Sequence, residues 1–325
     1  MHSTSGQARV LCHLHAKNET VTLTVIGITI SAIGLVIMVN QRIVLIIANP
    51  NDSVIQFFMK RLGESRSQIH KFRLLDQRRF AQDIHLCDAY WWCGHSEKIA
   101  HEQVAGVWNR MVDQHSEDNP SAQAIETFAT YLMNSVYPSV LNRPMAGLSN
   151  HAKLYQIDLL QLTRLQKIDS LMAINSTPRH LGLSEDCIYK SASGVRSIVQ
   201  KLQKDDQDRW ISEPVLFQAF IEGINIRVHV IDQEVIACYC KSQAVDYRYA
   251  QKTEIKRIEI PSWLIAECID ISKQLGLVFT GIDLLLKDAT YYLLEVNPAP
   301  GYAYFDIDGE ITNALVYYLT SLCKR

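Results

Sequence analysis

GIDLLLKDATYYLLEVNPAPGY, residues 281–302, sets two apolar runs on either side of a polar turn. Such a pattern predicts a β-hairpin. A hairpin built for burial should carry no charge inside its strands, because a buried carboxylate is costly unless it is partnered. Asp283 nevertheless stands inside the first strand, and Glu295 and Asn297 close the second. Side chains alternate along a strand, so Glu295 and Asn297 share a face. A turn with an odd number of residues, such as Asp288, Ala289 and Thr290, would place Asp283 directly opposite Glu295 on that face. Two carboxylates so close repel unless a cation lies between them, and hard oxygen donors suit Mg2+, an ion usually shared with substrate phosphates. The alternative is a hairpin end that simply meets water.

A phosphate needs positive charge, and the same half of the chain supplies it. Lys190 ends an apolar strand and runs into SASGVRS, residues 191–197, whose small residues would let backbone N–H groups approach an anion while Arg196 adds charge. Taken alone, Lys190 also fits a strand-end lysine reaching for solvent. Arg227 lies inside INIRVHV, residues 224–230, where a charge requires a partner. With a three-residue turn at 232–234 it stands opposite Tyr239 on a face shared with Lys241. Two cations on that face suit a transferring phosphoryl group or an acyl phosphate, with a structural salt bridge as the alternative.

Outward from these strands, the pattern is α/β (α+β). VLFQAFIEGINIRVHVIDQEVIACYCKS (215–242) reads as a strand, a kink and a hairpin, and CIYKSASGVRSIV (187–199) as strand, loop and strand. SWLIAECIDISKQLGL (262–277) and GEITNALVYYLTSL (309–322) read as helices. NRPMAGLSNHAK (142–153) marks a domain boundary and LYQIDLLQLTRLQ a helix after it. Towards the N-terminus, RIVLIIANPND is a buried parallel strand with Asp52 or Ser53 capping the next helix. A second strand is expected at 85–95, with helices at 98–114 and 121–136. Residues 21–39 carry no charge and are about long enough to span a bilayer. They read either as a membrane anchor or as residues ahead of a true start at Met38, with a buried helix ranked below both. The expected divisions are 1–40, 41–140 and 141–325.

The composition is 48% hydrophobic and 20% charged, with 32 Lys+Arg against 34 Asp+Glu, so no basic excess points to nucleic acid. The 8 cysteines, at 12, 87, 93, 187, 238, 240, 268 and 323, form no CxxC pair and read as reduced thiols of a cytoplasmic protein. Cys238 and Cys240 share a strand face without neighbouring ligands. No Walker loop, G-x-G-x-x-G, G-x-S-x-G or H-E-x-x-H occurs, and the 11 histidines, His229 among them, read as surface or packing residues.

LFQAFIEGINIRVHVIDQEVIACYCKSQ followed by LGLVFTGIDLLLKDATYYLLEVNPAPGYAYFD resembles the ATP-grasp fold. The resemblance is to the branch of ribosomal-protein glutamate ligases and microviridin-type peptide-macrocyclising ligases. It extends over about 140–325, with 41–139 resembling the α/β domain that precedes such folds. It implies ATP and Mg2+, two ions with Mn2+ as a substitute. Lys153, Lys190, Ser191 and Ser193 would meet the phosphates, the backbone of Gln218, Ala219, Phe220 and Ile221 would hold adenine as a hinge, and Glu222 would meet the ribose. Asp283, Glu295 and Asn297 would bind the metal. Arg227 and Lys241 would stabilise an acyl phosphate, and SQAVDYRY (242–249) offers Asp246 and Arg248 to the acceptor. Departures are Ala219 or Gly223 where glutamate ligases carry an acid, and Cys93 where an arginine is expected. NPAPGYAYFD leans towards the peptide-modifying group.

The expected activity is an ATP-dependent carboxylate–amine ligation on a small-molecule or peptide carboxylate with an amine acceptor. A kinase-like phosphotransferase and a non-catalytic nucleotide-binding or membrane-associated scaffold, the latter suggested by 21–39, are the alternatives.

Overall fold

The computed structural model describes residues 42–325 apart from 66–67, 81, 95–96, 113–118, 149–155, 157–162, 193–198 and 242–253. The apolar run at 21–39 lies outside the described residues, as does most of the helix expected over LYQIDLLQLTRLQ. Among the described residues no helix is long and apolar enough to cross a membrane.

The first strand, β1 (Ile43–Ala48), is buried along its whole length. Strands covered on both faces read as unbroken apolar runs, and β1 pairs in parallel with β2 (Phe72–Asp76) on one side and β6 (Val104–Arg110) on the other. With β7 (Val140–Leu141) the sheet has the order β2-β1-β6-β7. Asp52 caps the following helix α1 (Ser53–Ser65), its Oδ1 accepting from the Val54 and Ile55 N–H groups at 2.8 and 3.1 Å.

Two expectations in this part are corrected. The stretch expected as one strand at 85–95 forms two short ones, β3 (Ile84–Leu86) and β4 (Tyr90–Cys93), in a small antiparallel sheet with β5 (Glu97–Ala100). The helix expected at 98–114 is instead β5 and β6. β6 is buried on both faces over Val104–Trp108, and a strand covered on both sides has no two-residue alternation to distinguish it from a helix. The next helix, α2 (Pro120–Tyr131), falls where one was expected, with Asn119 as its cap. A short helix, α3 (Pro144–Gly147), follows β7.

The rest of the chain builds two further sheets. The first has the order β11-β10-β12-β9, from β9 (Ser170–Ala173), β10 (Cys187–Ser191), β11 (Gln200–Lys201) and β12 (Val215–Ala219). The second is six-stranded, β15-β14-β13-β16-β17-β8, from β8 (Gln166–Lys167), β13 (Ile224–Ile231), β14 (Glu234–Lys241), β15 (Glu254–Ile258), β16 (Phe279–Lys287) and β17 (Thr290–Asn297). One face of the larger sheet packs Val228, Ile282 and Val296 against Leu264, Cys268 and Ile271 of α4 (Ser262–Gln274). The other joins Ile231, Cys238 and Phe279 to Leu315 of α5 (Glu310–Leu322) and to Val44, Phe58 and Trp108.

The β16–β17 hairpin turns on two residues, because Lys287 pairs with Thr290. Asp288 and Ala289 sit between them at φ 48° and 63°, the left-handed region that two-residue hairpin turns require. Alanine there is strained where glycine is not. Ala289→Gly is therefore expected to stabilise the protein by about 0.5–1 kcal/mol, seen as a higher urea midpoint. A lower midpoint would show that the turn is not strained.

Candidate active site

A two-residue turn alone would put Asp283 out of register with Glu295. The register is restored by a bulge: Leu284 pairs with Leu293, Asp283 with Glu295, and Leu294 is the extra residue. The expected pairing thus holds while the expected three-residue turn does not. On the other side of Asp283 stands Arg227, its register partner on β13. The turn after β13 is also shorter than expected, with Ile231 pairing with Glu234, so Arg227 faces Cys238 rather than Tyr239.

One row therefore crosses four strands: Cys238, Arg227, Asp283, Glu295. The row beside it, two residues along each strand and on the same face, is Ile236, His229, Gly281, Asn297. Asp283, Glu295 and Asn297 thus share a face, two carboxylates and an amide oxygen. Among the described residues no three His, Cys, Asp or Glu side chains converge as a metal cluster, so the amide is needed to complete a triad of donors. Hard oxygens of this kind fit Mg2+.

Charge in these rows is matched. Arg227 Nη1 donates to Asp283 Oδ2 at 2.6 Å, and both side chains are nearly buried, at 6% and 11% exposure. Gly281 permits this contact, since a Cβ there would run into the Arg227 guanidinium and the Pro300 ring. Glycine inside a strand is the sequence signal for such a close approach. Lys190 reaches from the other sheet, its Nζ 3.5 Å from Glu295 Oε2. Lys190 shares its face of β10–β12 with Gln218, because Lys190 pairs with Leu216 and Ile188 with Gln218. The reverse face, Tyr189 and Phe217, packs on Ile211 and Leu202. The face that carries Lys190 and Gln218 is thereby turned to the carboxylates. A cavity of about 260 Å3 lies over the reverse face against Arg209 and Trp210 and reaches Lys190. The row residues Arg227, Asp283 and Glu295 are not among those that line this cavity.

Gln218 is buried and its Nε2 donates to Ser170 Oγ at 3.0 Å. Ala219 closes β12 with its N–H bonded to Asp169 O at 3.2 Å, and just past the strand Phe220 N–H bonds Asp186 O at 2.7 Å. Neither polar backbone group of Ile221 has a backbone partner among the described residues. Phe220 lies under the Lys201 ammonium at 4.8 Å, and Glu222 is exposed. Ser191 ends β10. Lys153, Ser193, Arg196, Asp246 and Arg248 lie outside the described residues. Lys241 is not brought into the row: it follows Cys240 by one residue, so it projects from the opposite face, exposed and paired in register with Glu254. The shared face expected for Arg227 and Lys241 is corrected by the two-residue turn.

Cys238 and Cys240 occupy the Arg227 face but are poor nucleophiles, because burial pushes their thiols up to about 11 and about 12. His229 is fully buried against the rings of Phe279 and Phe305, which makes it a packing residue. Its Nε2 faces Gly301 O at 3.3 Å, and Nδ1 has no partner among the described residues. Burial, and then the charge of Arg227, hold its imidazole well below the usual range. The unfolded chain therefore takes up this proton first as pH falls. Stability should be full above about pH 6.5 and decline below it, by up to about 1.4 kcal/mol per pH unit. Urea midpoints at pH 7.5 and 5.5 check this, and an equal decline in His229→Gln would rule out His229 as the source.

The profile of the ATP-grasp domain family matches residues 168–301, which include Lys190, Arg227, Asp283, Glu295 and Asn297. A coenzyme gamma-F420-2:alpha-L-glutamate ligase of Methanococcus maripaludis is 30% identical over 141 residues, 38% of this chain and 49% of the relative. The chain thus spans about half the length of the curated relative it matches. Among solved structures, the ATP-grasp ligase PsnB complexed with minimal precursor, Mg and ADP superposes with a TM-score of 0.69 at 25% identity, covering 86% of this chain and 97% of that one. Macrocyclase MdnC bound with precursor peptide MdnA, from Microcystis aeruginosa MRC, superposes with a TM-score of 0.69 at 17% identity, covering 85% and 98%.

Proposed function

From an ATP-grasp fold whose matched residues carry the charged rows, we propose that this protein is an ATP- and Mg2+-dependent ligase joining a carboxylate to an amine through an acyl phosphate. The observation that carries the reading is the row Arg227, Asp283, Glu295 with Lys190 leaning onto its end from a second sheet. Acidic and basic groups packed against one another where one sheet meets another suit a ligand that brings both phosphate charge and cations.

In this reading residues 141–325 are the ATP-grasp domain, 41–140 the α/β domain before it, and 218–221 the hinge. The Ile221 backbone offers a donor and an acceptor to adenine, and Lys190, with Ser191 and the outlying Lys153 and Ser193, holds the phosphates. Asp283, Glu295 and Asn297 hold Mg2+, which when bound neutralises phosphate charge and orients the γ-phosphate. Arg227 stabilises the negative charge that gathers as the phosphoryl group passes to the substrate carboxylate. An amine then attacks the acyl phosphate, phosphate leaves, and an amide forms. Lys241, Glu222 and Arg248 enter this scheme on the resemblance alone. Since the superposed PsnB and MdnC structures hold precursor peptides, the substrate proposed here is a peptide or amino acid.

ADP release by the full chain with ATP and Mg2+, screened over amino acids and peptides with hydroxylamine present, tests the proposal. Substrate-dependent ADP together with a hydroxamate is the expected result. ADP with a phosphorylated product and no hydroxamate would make the protein a kinase, and Mg2+–ATP binding without any turnover would make it a scaffold.

A further inference from the structure

Beyond the bulge at Leu294, β17 has no neighbouring strand on its outer side among the described residues, because β8 pairs only with Tyr292 and Leu293. Val296 lies between Glu295 and Asn297, is fully buried, and directs its own N–H and C=O to that open side. An unpaired buried peptide group costs about 1–3 kcal/mol, so something must take the place of the missing strand. The side chain of Gln156 does so. Its Oε1 accepts from Val296 N–H at 2.9 Å and its Nε2 donates to Val296 O at 2.7 Å, with the residue only 4% exposed.

A second amide, Asn142, pairs the N–H and C=O of Phe279 at the start of β16 and reaches Pro298 just past the end of β17. Asn142 Nδ2 donates to Pro298 O and Phe279 O, both at 2.6 Å, and its Oδ1 accepts from the N–H groups of Val278 and Phe279 at 2.7 and 3.1 Å. Gln156 and Asn142 therefore hold main-chain groups of Val296 and Pro298, the residues on either side of Asn297. An apolar side chain of equal size would fill either space and pair none of these groups. The amides fix the backbone, and the backbone fixes where the Glu295 and Asn297 side chains leave the strand.

We propose that Gln156, seconded by Asn142, is a positioning residue for the oxygen donors Glu295 and Asn297; this rests on the reading of those residues as Mg2+ ligands. Groups that orient metal ligands from behind typically alter metal affinity about 10–100-fold when removed. Their loss should weaken the contribution of Mg2+ to nucleotide binding and spare the binding of nucleotide alone, a split that general loosening of the fold would not produce.

The test is calorimetric titration of ADP into the full-length protein over a range of Mg2+ concentrations. In the wild type Mg2+ tightens ADP binding, and Glu295→Gln removes most of that effect. Gln156→Met should raise the half-saturating Mg2+ about 10–100-fold while ADP affinity without Mg2+ stays within about twofold. Gln156→Asn, which keeps a neutral amide but withdraws it by one methylene, should shift in the same direction by a smaller factor, and carries the test if the Met variant does not fold. A Glu295→Gln protein with wild-type Mg2+ dependence would remove the metal reading itself. Loss in Glu295→Gln with wild-type Mg2+ dependence in the Gln156 variants would leave that reading standing and overturn the positioning role.

Discussion

Asp283→Leu is expected to cost the fold about 3–5 kcal/mol and turnover about 10^3-fold, and adding Arg227→Met should restore most of the stability and none of the turnover. The first half follows from geometry, since the substitution removes a carboxylate 2.6 Å from the guanidinium of an arginine whose side chain is 6% exposed. A buried cation deprived of its counter-charge is more costly than no cation at all. The second half follows from the same asymmetry. Two buried charges attract one another, but each has surrendered its hydration, so an apolar pair of similar volume is often no less stable. A buried pair of this kind adds little net stability, and in the proposed function its place beside Glu295 serves chemistry that needs both charges. Chemical denaturation of the two single variants and the double variant, beside ADP release, separates the effects. A double variant as unstable as Asp283→Leu would mean that the row is held by more than this pair, and a double variant that still turns over would remove Asp283 and Arg227 from the mechanism.

That row was largely legible in the sequence, though not through the local structure that forms it. Asp283, Glu295 and Asn297 are conspicuous because they are polar in apolar strands, and this survives any error in turn length. The turn itself was misjudged: Asp288 and Ala289 adopt positive φ without the glycine that usually announces it. Leu294 bulges without any residue to mark it, and the two departures cancel at Asp283. Nothing cancels after the shorter turn at Asp232 and Gln233, and Lys241 therefore falls on the wrong face. Strand register is that sensitive because one residue of slip exchanges the faces. The helix expected at 98–114 fails for a different reason, a strand buried on both sides that offers no alternation. Gln156 and Asn142 carried no signal at all, since a side-chain amide replacing a strand becomes visible only when the unpaired backbone groups are known.

Lys190→Met should move the two ligands in opposite directions. ATP affinity is expected to fall about 10–100-fold, the usual worth of a charge-assisted contact to an anion. Nucleotide-free Mg2+ affinity is expected to rise, because the ammonium lies 3.5 Å from Glu295 Oε2 and a like charge at a ligand oxygen opposes a second cation there. The lysine is 5% exposed, so solvent screens this repulsion little. If Glu295 binds Mg2+ as proposed, Lys190 and Mg2+ compete for it in the free protein, whereas the phosphates of bound ATP would give the ammonium another partner and let both cations be accommodated. Nucleotide would then strengthen Mg2+ binding in the wild type by relieving that competition as well as by donating oxygens, and Lys190→Met should show weaker coupling between the two ligands. Mg2+ and ATP titrations, each with and without the other, give all four affinities. A variant in which both affinities fall together would mean that Lys190 supports the site as a whole, and that its contact with Glu295 does not oppose metal binding.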